Sequence, residues 1–213
     1  MKIQKTLNKV AYENTYYLEN ETGVLLVDPG SEFHIIERKL EEIGKPVRGI
    51  LLTHTHYDHI MSLDKVRDAF GHPPVYVSKE EESWLYEPEM NLSGLDRHAD
   101  LENVILKPAE HVFDLDQEYD IEGFYFKVLP TPGHSIGGVS FLFPKSNLVI
   151  TGDALFKETI GRTDLPTGSM EQLIKGIKEH LMTLPNHYRV YPGHGNETSI
   201  GHEKAFNPFL KEN

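Results

Sequence analysis

Residues 53–59 read Thr-His-Thr-His-Tyr-Asp-His, which puts three imidazoles and a carboxylate within six consecutive positions, His54 to His59. Imidazole and carboxylate are the nitrogen and oxygen ligands that zinc, iron and manganese take. Folding alone gives no reason to concentrate them in this way. Arg48-Gly49-Ile50-Leu51-Leu52 precedes the cluster and reads as a short buried strand; Ile60 to Val66 follows it with apolar residues at helical spacing. The cluster therefore falls on a strand-to-helix turn, the place where α/β proteins build their sites.

The spacing has a geometric content. His54 and His56 are two apart, so in continued strand conformation they project to the same side and can grip one cation. Asp58 and His59 are adjacent at the expected helix start and point elsewhere, which suits a second cation. The competing reading makes Asp58 a plain helix cap favoured by the macrodipole, by about 0.3–1 kcal/mol, and the histidines ordinary turn residues. Capping explains one residue of the four.

The 213 residues suffice for one substantial core, and we expect a single domain over 1–213. No run of about eighteen apolar residues occurs and no apolar segment follows a basic N-terminus, so neither a membrane span nor a secretory signal is expected. Cytoplasm is the expected compartment. The absence of cysteine excludes disulfides, thiolate ligands and a cysteine nucleophile. A formal charge of -12 argues against nucleic acid as a partner.

Strands are expected from Val10-Ala11-Tyr12 through Tyr16-Tyr17-Leu18 and over Gly23–Val27, the latter closing at Asp28-Pro29-Gly30. A helix is expected over Glu32–Ile43, stopped by Gly44. Val75-Tyr76-Val77 reads as a strand, Lys79–Tyr86 as a helix whose charge run is a solvated face, and 87–110 as an irregular excursion. Strands recur over 124–129, 138–143, 147–150 and 188–191, with a helix capped by Ser169 over Met170–Leu184. Two strand-rich halves with helices outside imply an α/β protein, a layered helix–sheet–sheet–helix (αββα) sandwich.

Three distant segments share the character of the first cluster. Thr131-Pro132-Gly133-His134, Thr151-Gly152-Asp153 and Tyr191-Pro192-Gly193-His194 each end an expected strand with a ligand-type residue beside glycine. Singly, each is explained as well by a turn. Together with His54, His56, Asp58 and His59 they make seven candidates, whereas one zinc takes about four ligands and a catalytic zinc three from protein. Seven suit two ions, with the carboxylate of Asp153 able to bridge them.

This set of motifs, in this order, resembles the metallo-β-lactamase-fold superfamily, and the match runs from Asp28-Pro29-Gly30 to His194. The resemblance implies that His54, His56 and His134 hold one metal, Asp58, His59 and His194 the other, and that Asp153 bridges them. Asp28 would stand behind the ligands or simply form its turn. Gly161-Arg162-Thr163-Asp164, with Tyr-Pro-Gly-His-Gly, is similar to the short glyoxalase II-like hydrolases, which split hydroxyacyl-thiol thioesters such as S-lactoylglutathione. True β-lactamases of this fold usually carry Cys at the place of Asp153 and lack a His at 59. Two departures bear on the thiol: only residues 195–213 follow His194, too few for the helical C-terminal domain of the long enzymes, and no Cys-Gly-Lys stands after Asp153.

The chemistry implied is attack of a metal-activated hydroxide on a small-molecule thioester, with Asp58 orienting the nucleophile. Zinc is the expected metal, iron and manganese the alternatives, at two divalent ions per chain. Arg162 is the candidate substrate-binding cation, suited to a carboxylate-bearing thiol, against an ion pair with Asp164. His34, His72, His98, His111, His180, His187 and His202 are assigned to surface or packing. Persulfide dioxygenases share the fold and the Gly-Arg-Thr-Asp segment; resemblance to them would imply one iron on His54, His134 and Asp153. A lactonase is a close hydrolytic variant, and a non-enzymatic metal-binding module leaves the ligands without a purpose.

Overall fold

The computed structural model describes residues 1–95 and 100–211. The chain forms two compact units, residues 1–113 with 121–124, and residues 114–120 with 125–213. No helix among the described residues is long and apolar enough to cross a membrane.

The first unit is built on a six-stranded sheet in sequence order: β1 (Lys2–Leu7), β2 (Asn14–Glu19), β3 (Val24–Val27), β4 (Val47–Leu51), β5 (Val75–Val77) and β6 (His111–Val112). β1, β2 and β3 are antiparallel and β3 to β6 parallel. Parallel neighbours need a crossover. Helix α1 (Phe33–Ile43) supplies it between β3 and β4, burying Ile36 and Leu40. Gly44 ends α1 with φ 67°, its N–H donating to the Leu40 carbonyl at 2.9 Å. Between β4 and β5 the chain makes α2 (Tyr57–Ile60) and α3 (Leu63–Ala69). All four residues of β3 are buried, as a strand covered on both faces requires.

Two sequence expectations are corrected here. Residues 10–12 do not open a strand: Ala11 and Tyr12 take left-handed φ values of 53° and 58° in a turn closed by Asn8 N–H to the Glu13 carbonyl at 2.8 Å. The turn folds around a buried polar pair, Asn8 Nδ2 donating to Glu13 Oε2 at 2.6 Å, and that pairing decides the backbone path. Residues 79–86 are two 3-10 turns, Lys79–Glu81 and Ser83–Tyr86, and their charge run is not uniformly solvated, because Glu81 is fully buried.

The second sheet runs in the order β14-β13-β10-β9-β8-β7, with β7 Glu118–Ile121, β8 Phe124–Pro130, β9 Val139–Phe143, β10 Leu148–Gly152, β13 Arg189–Pro192 and β14 Thr198–Ser199. A two-stranded hairpin, β11 (Leu155–Phe156) and β12 (Thr159–Ile160), follows β10. Helix α4 (Met170–Gly176) lies on the crossover to β13 and continues as a wider π turn over Ile177–Leu181. Ser169 caps α4 by accepting from the Gln172 N–H at 3.3 Å. Leu173, Ile177 and Leu181 pack with Leu129, Val149, Val190 and Ile200 of the short α5 (Ile200–Phe206) in this unit's core. Each such fully buried side chain contributes about 1.5–3 kcal/mol relative to exposure.

Candidate metal centre

In the first unit β4 delivers the histidine-rich turn. The last sheet hydrogen bond on that side of β4 runs from Leu52 N–H to the Tyr76 carbonyl at 3.0 Å. Beyond it the chain bends at Thr53 and is extended again at His56, and the threonines and histidines alternate. His54, His56, Asp58 and His59 are all buried, with ring centroids 4.7 Å apart for His54–His56 and 4.2 Å for His54–His59. Asp58 lies inside the first turn of α2 and not at its cap, with Oδ2 3.7 Å from His59 Nε2. The structure thus brings these four residues together.

Asp28 organises the turn from behind. Its carboxylate accepts from Thr53 N–H at 2.8 Å and from the Thr53 hydroxyl at 2.6 Å, and its Oδ2 lies 3.0 Å from His59 Nδ1. Asp28 is buried, at φ 51°, so it is more than a turn former. A carboxylate only accepts, so His59 Nδ1 carries the proton and Nε2 presents its lone pair. The Thr53 hydroxyl has spent its proton on Asp28. His54 Nδ1, 3.1 Å from that oxygen, is therefore the donor, and His54 too presents Nε2.

The second unit repeats the logic on three strand ends. His134 follows β8, Asp153 follows β10 and His194 follows β13, with Asp153 Oδ2 3.4 Å from His134 Nε2 and 3.2 Å from His194 Nε2. His134 Nδ1 donates to the Arg162 carbonyl at 2.9 Å, which again leaves Nε2 as the ligand nitrogen. A lone pair facing a carboxylate oxygen at such range calls for positive charge between them, a proton or a metal cation. Phe156 sets its ring at 6.0 Å and 67° against His194. Gly133, at φ 126°, allows the turn before His134 to pass α4: a Cβ there would sit 2.4 Å from the Leu173 nitrogen.

One support of the ligand residues in each unit has little sequence signal. Glu203, fully buried on α5, accepts from Glu158 N–H at 2.9 Å, from the Thr198 hydroxyl at 2.6 Å and from Asn207 Nδ2 at 2.9 Å. It thereby fastens the β11–β12 hairpin that leads into Gly161 and Arg162. Glu81 accepts from Thr55, between the two leading histidines. A carboxylate flanked by other acids, as Glu81 is, reads as surface in the sequence; only burial distinguishes it.

The Arg162 side chain is half-exposed and paired with Asp164, Nε to Oδ1 at 2.7 Å and Nη2 to Oδ2 at 2.6 Å. That hydrogen-bonded carboxylate raises the guanidinium pKa above its ordinary value. Of the histidines assigned to packing, His202 pairs with Glu158 at 2.8 Å and lies tilted at 39° against the Phe206 ring, while His98 lies outside the described residues.

The donor set in each unit is imidazole nitrogen plus carboxylate oxygen, without sulfur, and in His54, His59 and His134 Nδ1 is committed so that Nε2 is the ligand nitrogen. It fits a divalent cation of borderline hardness. The family model of the metallo-beta-lactamase superfamily matches residues 9–194. The chain belongs to the metallo-β-lactamase superfamily. Among relatives, a probable metallo-hydrolase of Streptococcus pyogenes is 64% identical over 99% of this chain and 90% of its own length. The hydroxyacylglutathione hydrolase GloC of Haemophilus influenzae is 33% identical over 90% of this chain and 89% of its own. The crystal structure of BLEG-1 B3 metallo-beta-lactamase has a TM-score of 0.94 at 36% identity, covering 99% of this chain and 100% of that one. TTHA1623 in a di-iron-bound form has a TM-score of 0.83 at 34% identity, covering 97% and 100%. The metallo-β-lactamase fold implied by the sequence motifs is therefore the fold of this chain.

Proposed function

We propose that this member of the superfamily is a dinuclear metal-dependent hydrolase acting on a small hydroxyacyl-thiol thioester of the S-lactoylglutathione class, in the cytoplasm. The observation that carries the metal assignment is the commitment of three Nδ1 atoms, on His54, His59 and His134, to acceptors, which prepares three Nε2 atoms as ligands. We assign His54, His56 and His134 to one cation, Asp58, His59 and His194 to the other, and Asp153 to both, so that the two units serve as one domain over 1–213. Zinc suits this donor set, and the di-iron form of TTHA1623 makes iron the next candidate.

Bound divalent cations supply Lewis acidity, making hydroxide available near neutral pH and drawing charge from a polarised carbonyl. The chain's own residues do the rest. Asp58 accepts a hydrogen bond from the attacking water and fixes its direction. Asp28 and the Arg162 carbonyl keep His59 and His134 in one tautomer throughout turnover. A thiolate is a good enough leaving group to need no dedicated general acid, which agrees with the absence of a Ser–His–Asp or Cys–His set in the motifs. The identity to GloC supports the thioester class. The likeness to BLEG-1 B3 metallo-beta-lactamase favours a second reading, β-lactam hydrolysis by the same centre.

The deciding experiment measures metal content and turnover on the same purified protein. Two metals per chain with hydrolysis of S-lactoylglutathione is the expected result. Cleavage of a cephalosporin without thioesterase activity would transfer the assignment to the second reading. One iron with thiol-dependent oxygen uptake would replace hydrolysis by dioxygenation.

A further inference from the structure

The turn that presents His54 and His56 lies beyond the end of β4, and two carboxylates take up its backbone N–H groups. Past Leu52 the backbone N–H groups of Thr53 and Thr55 face no strand. Thr53 N–H goes to Asp28, which follows β3 on one side of β4. Thr55 N–H goes to Glu81 Oε2 at 2.7 Å, and Glu81 follows β5 on the other side. The two carboxylates also take the hydroxyls, Thr53 at 2.6 Å and Thr55 at 3.0 Å. Thr53 and Thr55 are thus each held by a carboxylate, one from either flank. The chain bends at Thr53, so these two N–H groups face opposite flanks, and between them the buried rings of His54 and His56 meet edge to face at 4.7 Å.

We propose that Glu81 is a positioning residue for the metal ligands, holding Thr55 so that His54 and His56 present their nitrogens in one fixed geometry. The inference rests on the assignment of those histidines to a metal. A fully buried carboxylate is costly unless hydrogen-bonded, and its cost is offset here by two donors from a single residue of the ligand turn. The segment carrying Glu81 braces the same turn at two further points. The Trp84 ring stacks on His56 at 6.3 Å and 19°, and Tyr57 N–H donates to the Asn91 carbonyl at 2.9 Å. Asn91 is itself locked, its Nδ2 donating to the Trp84 carbonyl at 2.8 Å and the Val104 carbonyl at 2.9 Å. The described part of the segment after β5 is therefore a scaffold for the ligand turn, with Glu81 one of its three points of contact.

The test uses the full chain and cobalt(II) as probe, with affinity measured by chelator competition and geometry by the visible spectrum. Glu81→Ala should weaken binding by roughly 10–100-fold, as loss of an outer partner does, and shift the cobalt bands. Glu81→Gln should recover most of the affinity, because one amide oxygen can accept both Thr55 bonds. In the metal-free protein, hydrogen exchange at the Thr55 amide should accelerate in Glu81→Ala and not in Glu81→Gln. Parental affinity and spectrum in Glu81→Ala would overturn the proposal. Should that variant fail to fold, Glu81→Asp carries the test, its shorter side chain withdrawing the carboxylate from Thr55: weakened cobalt binding with Glu81→Gln near parental supports the proposal, and parental affinity and spectrum in Glu81→Asp overturn it. His54→Ala serves as control. If it binds cobalt like the parent, the metal assignment itself falls; if it does not and Glu81→Ala does, only the role of Glu81 falls.

Discussion

The two units supply ligand-type residues in opposite ways. The first concentrates His54, His56, Asp58 and His59 on one turn, so its geometry is local and rests on what grips that turn from behind. The second gathers His134, Asp153 and His194 from the ends of three strands, so its geometry rests on sheet register and on the loops that tie those ends together. A local cluster is robust to register and sensitive to its carboxylate clamps. A distributed one is sensitive to the packing of the whole unit. Substitutions that probe one mode should leave the other intact until the ligands themselves are touched.

The largest effect is expected at Asp153, where the distributed set converges. Asp153→Ala should abolish metal binding and hydrolysis together, beyond the roughly 10–100-fold that loss of an outer partner costs. Metal analysis alongside thioester turnover checks it, and near-normal turnover would remove Asp153 from the proposed bridging role. Next comes Gly161, in the second unit. A Cβ there would lie 1.9 Å from the Asp153 carbonyl oxygen and 3.2 Å from His134 Cβ. Gly161→Ala should lower stability by about 1–3 kcal/mol, as overpacking does, and weaken metal binding with it. A thermal melt of the metal-free protein checks the first part; an unchanged midpoint would show that the hairpin yields without cost.

How much of this was legible from sequence follows the same division. The four clustered residues, and the Pro-Gly-His and Gly-Asp strand ends, carry their chemistry in adjacent letters, and the fold family is implied by their order. The supports are different in kind. Glu81 is one acid among four charged residues, and Glu203 lies on α5, a short helix for which no periodic signal stands out. Each is made significant by a partner distant in sequence, Thr55 and Glu158. Residues 10–12 misread for the same reason: β-type letters were overruled by the buried Asn8–Glu13 pair. Pattern reading registers local periodicity and cannot register which long-range hydrogen bond will close.

A third prediction tests the scaffold of the first unit through pH. Arg67, on α3, donates to Glu110 Oε1 at 2.7 Å, and Val75 N–H donates to Oε2 at 2.7 Å. Partial burial pushes the Glu110 pKa up, but the Arg67 and Val75 bonds outweigh it and hold the carboxyl below its ordinary value. A depressed folded-state pKa contributes stability that is fully present above the unfolded value, about 4.3, and is lost as pH falls through the folded value. Glu110→Gln should therefore be less stable at neutral pH and show a shallower loss on acidification. Because Glu110 is about half exposed, the difference should stay under about 1 kcal/mol. Parallel acid limbs in denaturant titrations from pH 7 to pH 3 would show that the pair does not anchor the excursion.

The smallest structural effect is expected at Arg162, and it separates main chain from side chain. The carbonyl of this residue orients His134, a contact that any side chain at 162 preserves. The guanidinium is exposed and paired with Asp164, an arrangement worth about 0–1 kcal/mol. Arg162→Ala should accordingly keep its metals and its melting temperature. If the guanidinium exchanges Asp164 for a substrate carboxylate, KM for S-lactoylglutathione rises while kcat holds, the mark of lost uniform binding. Asp164→Ala then lowers KM, because it releases the cation for that task. Unchanged KM in both variants would leave Arg162 a purely structural partner of Asp164, and its backbone carbonyl the only part of it that serves the centre.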